Sequence, residues 1–505
     1  MIRPSLILSV LLATVFWGCT VGPDFVAPAP PETGRYLPAG ESAHLTAGGG
    51  EPAQHLLKKH ALQADWWQMF HSQALNGVVH EALAGNPSLD AASASLEHAR
   101  EVVSQARGSY FPQVDLAAGA ERQRGPAFAL GLLPSTSQTG LPLFNLYTIG
   151  PSINFSPDVF GLTARQVEQQ VALAEKQGYL LAATQLTLTG NVVTQSLSIA
   201  ATRQQIHAMR EIIASDEKNL ALTHERYDSG KIAMSDILAA ESQLNTDRAL
   251  LPPLEQQLTV AQDTLAVLVG KAPSEWTAPH FDMAEFTLPP DLPLSLPSDL
   301  VRQRPDILAA EAQLHASSAY IGVATAQMYP SFPLSASIDA AALSSTTLVN
   351  NPSVVWSLSG GLLVPIFHGG ALEAQKRAAE ADFHAALALY RQTVLQALEQ
   401  VADLIKALEH DAQLVTAEGE TLNDATQALD IQRVRYAAGR SDMLALLDAE
   451  RKTRQALLGA THARVQRMLD SAQLMVALGG GWWQGAPAPC APCTAPSTGT
   501  HGERK

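Results

Sequence analysis

Cysteine is nearly missing from this chain of 505 residues, which holds only Cys19, Cys490 and Cys493. None has a zinc-ligand spacing. Cys490 and Cys493 lie in a Pro/Ala-rich tail and read as an incidental disulfide rather than a redox or metal site. Basic charge is also short. Lys and Arg number 33 against 48 Asp and Glu, a formal net charge of -15, which argues against nucleic acid or anionic lipid headgroups as partners. Long apolar runs are lacking too. The stretch from Leu6 to Phe16, behind Arg3, is too short for a spanning helix, and residues 1–18 read as a signal peptide.

Motifs for catalysis or cofactors are equally scarce, and no catalytic residue, cofactor or metal site is assigned. Ser215-Asp216-Glu217-Lys218 fits a Ser-x-x-Lys pattern but lies within a continuous heptad with no Lys-Thr-Gly downstream, so it reads as a solvated helical face. Glu409-His410-Asp411 reads as coiled-coil surface without metal-ligand spacing. Gly48-Gly49-Gly50 follows no strand and precedes no helix, so it is no phosphate loop.

What the chain does have is periodicity. Val192, Ile199, Ile206, Ile213, Leu220 and Tyr227 fall seven apart, the repeat that winds helices into a left-handed supercoil. Arg226-Tyr227-Asp228-Ser229-Gly230 interrupts it, with Gly230 suited to the left-handed conformation that ends a helix. The heptad then resumes as Ile237, Leu244, Leu251, Leu258 and Leu265. The pattern predicts a helical hairpin with a sharp tip.

That hairpin occurs twice. Leu387, Val394, Val401, Leu408, Val415, Leu422, Leu429 and Tyr436 repeat the spacing, and Arg435-Tyr436-Ala437-Ala438-Gly439 repeats the turn. Without a gap, Arg226, Tyr227, Gly230, Leu238, Ala240, Glu241, Leu265, Val267 and Gly270 map onto Arg435, Tyr436, Gly439, Leu447, Ala449, Glu450, Leu474, Val476 and Gly479. The chain is an internal duplication. A shorter seam, Leu89, Leu96, Val103 and Tyr110, likewise has a twin in Ile307, Leu314, Ile321 and Met328.

After Pro112 and Pro330 the period drops from seven to two. Val114, Leu116, Ala118 and Ala120 alternate with polar or small residues, as do Ile149 and Ile153. In the second copy Phe332, Leu334, Ala336, Ile338 and Ala340 alternate, then Trp356, Leu358, Gly360, Leu362 and Val364. These runs approach the roughly 9–11 residues of a tilted transmembrane strand. Asp115, Ser335, Ser337, Asp339, Ser357 and Ser359 on the alternate positions suit a wet lumen. Four strands cannot close a barrel, and open edges are not tolerated in lipid, so the chain is expected to assemble symmetrically from two or three copies.

The expected organisation follows in chain order. A signal peptide (1–18) precedes an extended, Pro/Gly/Ala-rich arm (19–64). A first repeat (65–270) carries strands near 112–124 and 147–157 and a tip at 226–236. A Pro-rich connector (271–298) leads to a second repeat (299–483), with strands near 331–342 and 354–365 and a tip at 435–448. Residues 484–505 read as a disordered tail. Cys19, directly after Gly18, resembles a bacterial lipoprotein processing site, with Thr20 lacking the Asp of an inner-membrane retention signal.

The duplicated strand pairs, the two Arg-Tyr-x-x-Gly tips, Trp66-Trp67-Gln68-Met69-Phe70 near the start and Leu478-Gly479-Gly480-Gly481-Trp482 at the close resemble the TolC-like outer-membrane efflux factors, in the lipoprotein branch of OprM and NodT type. The resemblance covers residues 19 to 483. It implies a mainly α chain with a membrane β-barrel: a homotrimer with twelve strands in the outer membrane and a helical barrel extending into the periplasm. It implies a periplasmic adaptor (membrane fusion) protein, an inner-membrane efflux transporter and outer-membrane lipid as partners, and a passive conduit exporting small toxic compounds. It also implies that Cys19 is lipidated, that Asp236, Tyr436 and Asp448 form a periplasmic gate with Tyr436 bonded to Asp236, and that Arg226, Tyr227, Gly230, Arg435 and Gly439 form adaptor-docking tips. Of the matching gate positions, which hold Asp236 and Ala239 in the first copy and Ala445 and Asp448 in the second, Ala445 departs where a second acidic residue is sometimes found; Ser441 stands where a basic lock is known, with Arg440 adjacent. Two other readings remain open at this point: the same conduit carrying metal ions or polypeptides, and a periplasm-spanning coiled-coil lipoprotein without a lumen.

Overall fold

The computed structural model describes residues 20–124, 143–350 and 352–484, apart from 32, 39, 42–43, 48–51 and 59–61. The leader, Cys19, Gly48-Gly49-Gly50, Cys490 and Cys493 lie outside the described residues. In chain order the elements are β1 (His55–Lys58), α1 (Gln73–Gly85), α2 (Pro87–Gly108), β2 (Gln113–Arg124), β3 (Leu143–Phe155), α3 (Leu162–Asp228) and α4 (Met234–Val269). Then follow β4 (Asp291–Leu294), α5 (Pro297–Gln303), α6 (Pro305–Ala326), β5 (Leu334–Ala342), α7 (Ser345–Asn350), β6 (Ser353–Gly360), α8 (Ala371–Ala437) and α9 (Met443–Ala477). The two longest helices, α3 and α8, have 67 residues each. No helix among the described residues is long and apolar enough to cross a membrane.

The chain forms two compact units. One takes the described residues up to Pro28 with Ala94–Gly178 and Ala309–Arg391. Its centre is an antiparallel sheet in the order β2-β3-β5-β6. Registers such as Val114↔Ile153, Ile153↔Ala336 and Ala336↔Leu358 carry one apolar row across all four strands. The adjacent row, Asp115↔Ser152, Ser152↔Ser337 and Ser337↔Ser357, is polar. Period two therefore gives the sheet two chemically distinct faces. Hydroxyl pairs Ser335–Ser359 at 2.7 Å and Ser337–Ser357 at 3.0 Å tie β5 to β6 on the polar side. Leu116, Trp356 and Leu358 on the apolar side are each at least three-quarters exposed or nearly so. Among the described residues β2 and β6 are edges, each paired on one side only. At Gly150 an added Cβ would lie 2.2 Å from the Ile338 carbonyl, so β3 approaches β5 only because that position is glycine.

Below the sheet the same unit is fastened by the residues that follow Cys19. Arg165 of α3, almost fully buried, donates Nε to the Val21 carbonyl (3.2 Å) and pairs with Asp24 (2.8 Å) and Glu168 (2.7 Å). Glu168 also meets His315 of α6 at 3.1 Å, and Phe25 stacks on that imidazole with centroids 4.4 Å apart. Burial opposes the Arg165 charge, but the Asp24 and Glu168 carboxylates outweigh it and raise its pKa.

The second unit takes Ala29–Ser93, Tyr179–Leu308 and the described residues after Gln392. Its core holds Trp66, Phe70, Leu75, Phe281, Phe286, Leu265 and Met468, all within 1% of full burial. Each large apolar side chain removed from water contributes about 1.5–3 kcal/mol. The extended arm and the Pro-rich connector each contribute a strand: β1 pairs in parallel with β4, His55 opposite Asp291. The buried Gln54 side chain explains this placement. It donates to Pro289 O (3.0 Å) and Ser471 Oγ (3.1 Å) and accepts from the fully buried Arg467 (2.9 Å). One amide thus satisfies arm, connector and α9 together. At the end of α9, Gly479, Gly480 and Gly481 all have positive φ and Trp482 donates to Gln303 O at 2.8 Å.

Candidate functional site: the hairpin tips

Both tips lie in the second unit, and both end by the same backbone device. Lys231 N–H reaches Arg226 O at 2.9 Å and Gly230 N–H reaches Tyr227 O at 2.7 Å; Arg440 to Arg435 (2.9 Å) and Gly439 to Tyr436 (3.1 Å) repeat it. This is a Schellman closure, with Gly230 and Gly439 at φ 76° and 68°. No atom lies within 4 Å of a Cβ built on either glycine. Conformation therefore requires glycine here, and crowding does not.

The return helices then start from different caps. Asp442 accepts from Ala445 N–H at 2.8 Å and caps α9. Ala233 offers no side chain, and Asp236 instead accepts the Ala233 N–H at 3.2 Å, half of a capping box. The structure thus does not join Asp236 to Tyr436 within one chain. The Tyr436 hydroxyl is buried with no hydrogen-bond partner among the described residues. Its ring packs on the cluster of Ala240, Leu429, Met443, Leu446, Leu447 and Ala449, and its face carries the Arg226 guanidinium 4.2 Å from the centroid. Arg226 and Tyr436 come from different hairpins, so the two tips are joined by a cation–π contact.

Asp448 lies one turn farther along α9, paired with Lys452 (2.9 Å) and Arg451 (2.6 Å). Those cations, Lys452 foremost, hold its carboxyl below the usual range. Tyr227, Gly230, Arg435 and Gly439 are exposed, and Arg226 is half-buried. Ser441 donates to the Gln432 side chain at 3.1 Å.

Above the tips lies a group that the sequence reading placed wrongly. Asp216 is 4% exposed, not solvated, and Asp411 is 8% exposed, not coiled-coil surface. Asp216 meets Asp247 of α4, itself fully buried, while the other oxygen of Asp247 pairs with Arg454 of α9 and accepts from Gln243. Glu450 stands beside them, accepting from Asn219 at 2.8 Å with Arg433 at 3.7 Å. The heptad held the signal. Asp247 continues the buried series Ile237, Ala240, Leu244, and Asp411 falls between Leu408 and Val415. Each is a carboxylate at a core position of the repeat.

Comparison with known proteins concerns the chain as a whole. The family described as Outer membrane efflux protein matches residues 78–271 and 296–480. The pyoverdine export outer membrane protein OpmQ of Pseudomonas aeruginosa is 29% identical over 465 residues, covering 90% of this chain and 93% of that protein. The probable outer membrane lipoprotein SilC of Salmonella typhimurium is 26% identical over 450 residues, covering 85% of this chain and 93% of that one. Among solved structures, the outer-membrane channel OprN is 28% identical, with a TM-score of 0.79 over 92% of this chain and 100% of that chain.

Proposed function

The chain belongs to the outer membrane efflux protein family, and from that premise we propose that three copies close one conduit through which an inner-membrane transporter and a periplasmic adaptor expel small toxic compounds. Its place is the outer membrane and its role is efflux. The observation that carries the reading of assembly is the sheet, and membership of the family supplies the number three. Four strands with one apolar face and two unpaired edges leave backbone groups unsatisfied in lipid. Pairing β2 of one copy with β6 of the next satisfies them; two copies reach the roughly eight strands that closure needs, and the three of the family reading give twelve. The polar row of Ser335, Ser337, Ser357 and Ser359 then faces the lumen.

The hairpin tips form the periplasmic end. Asp448 of three copies rings the aperture, Asp236 and Tyr436 complete the gate, and the exposed Tyr227, Gly230, Arg435 and Gly439, with the half-buried Arg226, receive the adaptor. Cys19 carries the lipid, because the residues immediately after it are fastened by Arg165 to the sheet-bearing unit. Cargo follows the partner transporter; export of pyoverdine by OpmQ is consistent with small molecules.

Cysteine pairs across the proposed seam test the closure. Asp115→Cys on β2 together with Ser357→Cys on β6 should yield disulfide-linked trimers in outer membranes, and planar bilayers should show discrete conductance. Crosslinked dimers as end product, or no conductance, would favour a lumenless coiled-coil lipoprotein.

A further inference from the structure

The tips and the sheet account for conduit and docking but leave the buried carboxyl group between the hairpins unused. Three features of it are unusual. Asp216 and Asp247 occupy core positions of two adjoining helices, 4% and 0% exposed. Asp216 Oδ2 and Asp247 Oδ1 have no hydrogen-bond donor among the described residues. The remaining cation, Arg454, comes from α9 of the other hairpin and is committed to the second oxygen of Asp247.

Two buried carboxylates in contact with no donor between them repel, and burial penalises both charges. A single proton converts the arrangement into an O–H···O bond and leaves one carboxylate for one guanidinium. We infer that Asp216 and Asp247 form a proton-binding site which, with Arg454, clasps the first hairpin to the return helix of the second.

The groups facing the site are known on every element that lines it. α3 supplies Asp216 and Asn219, and α4 supplies Asp247 and Gln243. α9 supplies Arg454 and Glu450, and α8 supplies Arg433, which is spent on Glu450. Burial first, and then Asp247, push the Asp216 carboxyl up to about 8. An acid whose folded pKa lies above its unfolded value destabilises the fold progressively as pH climbs from the lower value to the higher, and the full cost is present above both. The clasp is therefore strongest in acid, weakens steadily as pH climbs toward about 8, and is weakest above that value, where Asp216 is ionised in the folded chain. Asp216 lies fourteen residues before Gly230, roughly 20 Å up the helix. Loosening there frees the segment that carries the tip.

This inference goes beyond the conduit reading, and hydrogen exchange on the purified chain tests it whether or not the protein conducts. After correction for intrinsic exchange, protection of peptides spanning 210–222 and 241–256 should fall by about tenfold per pH unit between pH 5 and 7 and level off above about pH 8. Asp216→Asn keeps a donor toward Asp247 and cannot ionise, so its protection should stay flat. Wild-type protection that is constant over this range overturns the inference without any variant. A decline in Asp216→Asn equal to that of the parent overturns it as well.

Discussion

Arg226 of the first tip lies 4.2 Å above the ring of Tyr436 in the second, while the Tyr436 hydroxyl meets no partner among the described residues. The contact joins two hairpins through an aromatic face. Such contacts are worth about 0.5–2 kcal/mol, small enough for an adaptor's binding to offset. A gate held by this ring responds to different substitutions from one held by the hydroxyl.

Tyr436→Phe should accordingly leave the conductance of the isolated trimer near the parent's, because it deletes only an unpartnered group. Tyr436→Leu and Arg226→Ala should each raise open probability, and the double variant should add little to either. Single-channel recording in planar bilayers separates the cases. A large effect of Tyr436→Phe would mean that the hydroxyl bonds to a neighbouring copy, Asp236 being the first candidate.

The long elements were legible because period seven and period two are strong, repetitive signals, and the duplication allowed each hairpin to support the other. The helix ends were legible for a local reason: glycine at a position of positive φ, as at Gly230 and Gly439. Long-range pairings were not. β1 pairs with β4 across more than two hundred residues through the Gln54 amide, and four-residue strands carry no period of their own. Asp216 and Asp411 were misread because a carboxylate is expected outside, and only its position in the heptad marks it as inside. The bond expected between Asp236 and Tyr436 rests on the resemblance and on the placing of the two residues at neighbouring hairpin tips. Within one chain Asp236 accepts the Ala233 N–H, which leaves its other lone pairs open to a neighbouring copy.

The strap behind Cys19 yields a second prediction. A Cβ on Gly322 would lie 2.7 Å from Cγ of Arg165, and one on Gly22 would lie 2.4 Å from the Gly322 Cα. Gly322→Val should displace Arg165, release residues 20–25 and cost about 1–3 kcal/mol. Limited proteolysis with N-terminal sequencing should then show cleavage before Pro28 in the variant only. Equal resistance in both proteins would show that Arg165 does not hold the strap.

The apolar face of the sheet gives the last prediction. Trp356 is 73% exposed on β6, in a row with Val354 and Leu358 at 68% and 76%. Water is a poor surrounding for such a contiguous face, and the opposite face is hydroxyl-rich. If the row is the outer wall of a membrane barrel, Trp356 meets acyl chains directly. Reconstituted into vesicles, the protein should show tryptophan emission quenched by lipids brominated along the chain, and Trp356→Phe should remove much of that component. Ser357→Trp, one residue over, points to the other side of the strand. Placed in the Trp356→Phe background, it should respond instead to an aqueous quencher such as iodide. Lipid quenching at position 357 and iodide quenching at 356 would invert the assignment of the two faces.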